Sequence, residues 1–263
     1  ARLEQAALPG PRLDVLIELG RSRGGLRDHG AALELARRLH HHAQFRLRGI
    51  AFYEGLEASG DSVADAALVE VWAARVQRLL ADGEAEGLFA GPIWLSGGGS
   101  ALYDLVAPAL NPQGRYLGLL RAGCYLCQDH GLYRRMGRAV AERLGDADGL
   151  RPALEVWARV LSCPEPGLAI VGAGRRDLSY DQSLPLPILR AVNGSVAAVP
   201  EDWTISALND QHAYLRWTEG AGPAVGDAIA LGISHPCTTF DKWRWMPVVD
   251  EDYRIVDAIG TCF

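Results

Sequence analysis

LDVLIELG, residues 13–20, is a short apolar run that stops on a glycine, and its alternation with the segments after it decides the fold. DHGAALELARRLHHHAQF (28–45) comes next, with apolar residues at helical spacing. A second apolar run, LRGIAFYEG (47–55), again ends in glycine, and the long amphipathic segment SVADAALVEVWAARVQRLLADGEAEG (62–87) comes after it. PIWLSGGGS (92–100), a short helix near ALYDLVAPAL (101–110), and YLGLLRAGCYL (116–126) continue the alternation. Strand-like runs separated by helix-period segments predict βα units on a parallel sheet. In such sheets sites assemble at the C-terminal ends of the strands.

Beyond about residue 150 the pattern changes. GLAIVGAG (167–174), SVAAVPEDWTISALND (195–210), AYLRWTEG (213–220) and DAIALGISHPC (227–237) are short runs with turn residues between them, and YRIVDAIGTCF (253–263) closes the chain. Helical periodicity is mostly absent, which predicts a β-rich domain. Residues 1–150 are therefore expected to form one domain and 151–263 a second. Four βα units are too few for a closed barrel of eight, and the chain opens on a helix-like segment. Either the sheet is open or the first half of a barrel precedes these residues.

Composition narrows the classes of function. The chain has 263 residues, 49% hydrophobic and 22% charged, as in ordinary soluble globular proteins. The net charge of −6 supplies no basic footprint for nucleic acid or an anionic membrane. No apolar run reaches the roughly 18 residues of a membrane span, and ARLEQAALPG (1–10) lacks the basic and apolar regions of a signal peptide. Five cysteines in a chain of this size fit a reducing, cytoplasmic compartment better than a disulfide framework. Among 26 basic residues only Lys242 is a lysine.

GISHPCTTFDKW (232–243) carries the clearest chemical signal. In extended backbone His235 and Cys237 would project to one side, with Pro236 stiffening the geometry between them. An imidazole and a thiolate so placed suit a borderline-soft divalent ion, usually zinc. Two ligands leave positions for water or substrate, or call for ligands from elsewhere. The bland reading is a satisfied histidine beside a half-buried thiol. SGGGS (96–100) offers backbone amides that approach a phosphate closely, or is a flexible loop. Cys124 and Cys127 form a CxxC; on a strand their side chains would face opposite ways, which disfavours a shared metal or disulfide. His40, His41 and His42 sit at a helix end, where a solvated cap is the simpler reading.

Several segments together resemble the fold-type III pyridoxal phosphate enzymes, the alanine racemase-like barrels. IELGRSRGGLR (17–27), GIAFYEG (49–55), LSGGGSALYD (95–104) and LLRAGCYLCQDHGLY (119–133) are similar to the fifth to eighth barrel strands and the loops after them. AGRRDLSYDQSLPLP (173–187), LNDQHAYL (208–215) and the segment from Ser234 to the end look like the C-terminal β-domain of the D-serine dehydratase and D-threonine aldolase group. Bacterial amino acid deaminases, or D-serine deaminase-like proteins, give the closest look. The implied fold is α/β plus β: the second half of an alanine racemase-like (β/α)8 barrel, then a β-domain that has room for a strand returning from the barrel's N-terminal side.

The resemblance implies pyridoxal 5'-phosphate and zinc as cofactors. It places Tyr53, Arg23, Gly97, Gly98, Gly99, Ser100, Gly123 and Cys124 about the pyridoxal phosphate, His235 and Cys237 on the metal, and His212 and Asp181 near the substrate. In the family the Schiff-base lysine lies on the first barrel strand, so it is expected upstream of Ala1; Lys242, in the metal segment, does not match it. The implied activity is elimination of water and ammonia from a D-3-hydroxy amino acid such as D-serine or D-threonine, with zinc acting as Lewis acid on the hydroxyl. Metal-dependent retro-aldol cleavage, as in D-threonine aldolase, is the enzymatic alternative. A pyridoxal phosphate-binding protein without turnover is the alternative from another class. A homodimer is the expected assembly, with a D-amino acid as the small-molecule partner.

Overall fold

The computed structural model describes residues 10–262, and these fall into two compact units. The first runs to Gly123 and takes in Glu142–Gly145; the second comprises Cys124–Ala141 and the chain from Asp146 onward. The reading of 1–9 as helix-like lies outside the described residues, as does Phe263.

In the first unit the expected alternation is present: β1 (Leu13–Leu19), α1 (His29–His40), β2 (Phe45–Phe52), α2 (Ser62–Ala85), β3 (Trp94–Gly97), α3 (Tyr103–Leu110) and β4 (Leu117–Leu120). The four strands form one parallel sheet in the order β1-β2-β3-β4, so neighbours in sequence are neighbours in space, each pair joined by a helical return. Aspartates start α1 and α2. Asp28 Oδ1 accepts from the Ala31 N–H at 2.8 Å, and Asp61 Oδ1 accepts from Val63 and Ala64 at 3.0 and 2.8 Å. Buried Trp72 of α2 stacks on Phe52 of β2 with ring centroids 5.6 Å apart. Because the strands run the same way, the Gly20–Gly25 loop, Tyr53–Gly55, Gly98–Ser100 and Arg121–Gly123 all come just after strand C-termini, at one end of the sheet. β4 is shorter than the sequence run predicted. It ends at Leu120, and Cys124–Leu126 is a 3-10 turn.

The second unit begins with the turn at Cys124 and most of α4 (Leu132–Leu144). The β-rich region then folds as a seven-stranded antiparallel sheet of β5 (Glu155–Glu165), β6 (Leu168–Val171), β7 (Leu186–Val192), β8 (Ser195–Ala198), β9 (Thr204–Leu208), β10 (Ala213–Arg216) and β11 (Ala228–Gly232), in the order β8-β7-β11-β5-β6-β10-β9. A short helix α5 (Pro236–Phe240) comes after β11, and a two-stranded ribbon of β12 (Trp245–Val249) and β13 (Ile255–Gly260) ends the unit. Val160, Val171, Leu178, Ile205, Leu215, Ile229 and Leu231 pack the core. β11 lies inside the sheet with Ile229 to Gly232 all buried. Its last residues therefore deliver Ser234 and His235 from a fixed position.

Candidate functional site

His235, Cys237 and Cys124 come together in the second unit. One ligand atom from each lies within 4.8 Å of the other two, and the Cys124 and Cys237 sulfurs are 3.2 Å apart. The extended stretch expected at 232–243 is not what brings them there. His235 is extended, with φ −161° and ψ 114°, but it sits just before α5, and Pro236 occupies the first helical position, where its fixed φ and missing N–H suit a helix start. Cys237 is thus in the first turn of a helix. The 3-10 turn at Cys124 likewise removes the strand geometry assumed for the CxxC pair, and the partner that Cys124 finds is Cys237 rather than Cys127.

The imidazole is held from behind. His235 Nδ1 lies 2.6 Å from Asp181 Oδ2, and Thr238 donates to Asp181 Oδ1 at 2.7 Å. Burial works against the charged form of Asp181, but the hydrogen bonds from Thr238 and His235 and the charge of His235 outweigh it, so its pKa lies below the ordinary carboxylate value. A proton on Nδ1 then leaves Nε2 with a lone pair, the usual tautomer of a metal-ligating histidine whose other nitrogen rests on a carboxylate. The backbone here is fixed too: the Ser179 hydroxyl accepts from the Ser234 and His235 N–H groups, both at 3.1 Å. Burial, then the Cys237 hydrogen bond and charge, push the Cys124 thiol up to about 12. A divalent cation reverses that balance, since a coordinating thiol is deprotonated outright.

The first unit shows how the strand-end loops are filled. Gly98 and Gly99 donate their N–H groups to the carboxylate of Glu54, at 3.3 and 2.6 Å, and Glu54 is fully buried. Gly98 has φ +85°, and a Cβ there would lie 2.3 Å from Leu120 Cδ1. A Cβ on Gly97 would lie 2.6 Å from the Phe52 ring, and one on Gly99 3.1 Å from the Tyr53 ring. Ser100 is buried beside them. Arg23, on the exposed loop after β1, places its guanidinium 5.2 Å from the centre of the Tyr53 ring. Arg121 donates to the Phe52 carbonyl at 2.5 Å. Gly123 has nothing within 4 Å of the place a Cβ would take.

Residues 153–249 match the model of the putative serine dehydratase domain. The 3-hydroxy-D-aspartate aldolase of Paracoccus denitrificans (strain Pd 1222) is 31% identical over 239 residues, 90% of this chain and 57% of that protein. The crystal structure of D-threonine aldolase from Filomicrobium marinum superposes with a TM-score of 0.71 at 23% identity, over 95% of this chain and 62% of the other. D-threo-3-hydroxyaspartate dehydratase from Delftia sp. HT23 gives 0.69 at 23% identity, over 95% and 65%. The chain has the alanine racemase-like fold of these structures, and its residues 153–249 carry the putative serine dehydratase domain. It spans 57% of the Paracoccus relative and 62% of the Filomicrobium one. Similar structures also include alanine variants of a D-threo-3-hydroxyaspartate dehydratase. In one a cysteine is replaced and the form is metal-free; in another the histidine two positions before it is replaced.

These likenesses give each site residue a test. The metal set fits: a soft sulfur pair, an imidazole fixed by a carboxylate, and one shared locus. The pyridoxal phosphate set fits in part. Gly123 opens onto free space, which leaves room for a ligand there, and Tyr53 follows a strand end with the Arg23 guanidinium over its ring. The amides of Gly98 and Gly99 are bound to Glu54, so they are not phosphate donors in this arrangement; the glycines there serve close packing against Phe52, Tyr53 and Leu120. Glu54 is a residue that sequence reasoning missed, although its place two residues after a strand end and before a glycine is a visible signal. Asp181 holds His235. His212 lies in the β9–β10 turn with its side chain exposed, and its carbonyl accepts from Asn209. Lys242 donates to the Arg175 carbonyl at 3.0 Å. His40 ends α1 and His41 caps it, as expected of a helix terminus. Among the described residues no helix is long and apolar enough to cross a membrane.

Proposed function

We propose that the chain serves a pyridoxal phosphate- and zinc-dependent lyase that eliminates water from a D-3-hydroxy amino acid, the released enamine then taking up water to give a keto acid and ammonia. The observation that supports it is the His235–Cys237 pair with Asp181 on the far nitrogen of the imidazole. When bound, pyridoxal phosphate supplies an electron sink for a carbanion at the substrate's α-carbon, and zinc a Lewis acid for its β-oxygen. Asp181 keeps the proton on His235 Nδ1, and Thr238 keeps Asp181 in place. Cys237 offers a thiolate from the first turn of α5, and Ser179 fixes the backbone that carries His235. Tyr53, Arg23, Gly123 and the backbone of Cys124 are the residues we assign to the pyridoxal phosphate. The serine dehydratase domain match and the metal-free dehydratase variant support this reading.

A second reading is favoured by the names of two similar proteins: retro-aldol cleavage, in which the same ion would acidify the β-hydroxyl so that a base could take its proton. Product analysis of the full-length holoenzyme on D-serine, D-threonine and 3-hydroxy-D-aspartate separates the two. Ammonia with a keto acid is the expected outcome, and glycine with an aldehyde would transfer the assignment to the aldolase branch. Chelation and His235→Ala should each stop turnover while the cofactor's near-visible absorbance remains. Turnover that survives His235→Ala would sink the metal assignment. The reading carries a second copy of the chain as the expected partner.

A further inference from the structure

We infer that Cys124 is a third protein ligand of the metal, so that this chain builds a Cys2His site with one open position. The inference rests on the metal reading above and adds to it a residue 113 positions from Cys237 in sequence. His235 and Cys237 alone would leave two tetrahedral positions to solvent or substrate. The Cys124 sulfur lies 3.2 Å from that of Cys237, and all three ligand atoms lie within one 4.8 Å span. Two thiolates on one tetrahedral zinc, each at about 2.3 Å, stand about 3.8 Å apart. The pair therefore has to open by roughly half an ångström to receive the ion, less than one rotamer step moves a sulfur. Cys127, in the same turn, is not part of the cluster among the described residues.

Zinc binding here releases the thiol protons of Cys124 and Cys237 and leaves a set of two thiolates and one neutral imidazole, whose charge cancels that of the ion. Such a set selects borderline-soft cations. Zinc, cobalt and cadmium should bind, and magnesium and manganese, which take oxygen ligands, should not compete. One position stays open, as in catalytic rather than structural zinc sites.

The test is cobalt and zinc titration of the full chain under a phosphine reductant, with no turnover involved. Wild type should take one equivalent of Co2+ and show visible bands of a tetrahedral ion and a near-ultraviolet thiolate-to-cobalt band. Cys124→Ser should keep its fold by circular dichroism and lose about half of that band. It should also release zinc to a chromophoric chelator at a concentration lower by about tenfold or more. Cys127→Ser should match wild type. If Cys124→Ser matched wild type in band intensity and affinity while His235→Ala and Cys237→Ala lost both, Cys124 would be no ligand and the two-ligand site would stand. If His235→Ala and Cys237→Ala also bound like wild type, the metal reading itself would fall, and this inference with it.

Discussion

His130 packs its ring where a side chain on Gly232 would go, a Cβ there coming within 2.4 Å of the ring. Burial, then the charge of Arg134, lowers its pKa from 6.5 to about 4. Its Nδ1 is buried without a hydrogen-bond partner among the described residues. The depressed value sets the sign of the pH dependence. The neutral ring is compatible with the fold above pH 6.5; between 6.5 and about 4 the unfolded chain takes a proton that the folded chain refuses, so stability falls as pH falls, by at most about 1.4 kcal/mol per pH unit. Asp129 next to it acts the other way: burial raises its pKa despite backbone donors at Gly131 and Tyr133, so its contribution is greatest at low pH and is lost as pH rises. His130→Phe keeps the ring, removes the unpaired nitrogen, and should flatten the drop in urea midpoint between about pH 6.5 and 4 while leaving stability at about pH 7.5 unchanged or higher. An unaltered slope in that window would show that another group carries it.

Among the elements, α3 and the last turn of α4 are joined by a buried ion pair. Arg143 Nε and Nη2 donate to the two carboxylate oxygens of Asp104 at 2.6 and 3.0 Å, and the side chains are 12% and 2% exposed. Removing one partner strands a charge. Arg143→Met should cost about 3–5 kcal/mol in denaturant unfolding, and adding Asp104→Leu should recover most of it, because a well-packed apolar pair is about as stable as a buried ionic one. A double variant no better than the single would mean that the arginine acts by packing alone. Such pairs are invisible in sequence, since 39 residues separate the partners. The parallel strands and the helices between them were legible because apolar period and terminal glycines mark each end. β5 was not: Pro164 near its end and half-exposed alternation masked an 11-residue strand. α5 was not either, because five residues are too few to show a helical period, and only Pro236 at its first position signalled it. At the proposed metal site the sequence exposed the His–Pro–Cys pair and hid Cys124, which only the fold brings near.

Over the whole molecule, the β-rich unit is not one continuous stretch of chain. Periodicity changes near residue 150, yet Cys124–Ala141 belongs with the residues from Asp146 onward. The joins are specific. The His130 N–H donates to the Ile233 carbonyl at 3.0 Å, two residues before His235, and the Ala153 N–H donates to the Cys127 carbonyl at 2.8 Å. The His130 ring covers Gly232, and Cys124 meets Cys237. A fragment of residues 151–263 keeps every strand of the seven-stranded sheet but loses all four joins, exposing the end of β11 just where His235 is positioned. A fragment of residues 124–263 keeps them. The longer fragment should unfold in one cooperative transition and bind one equivalent of zinc. The shorter should bind a hydrophobic dye, unfold at lower urea, and hold zinc at least about tenfold more weakly, because an imidazole and one thiolate remain of the proposed set. Equal stability and equal zinc affinity would mean that the turn at Cys124 is an appendage to this unit. A shorter fragment that is less stable but binds zinc fully would separate the two roles, leaving residues 124–141 a part of the core and taking Cys124 off the metal.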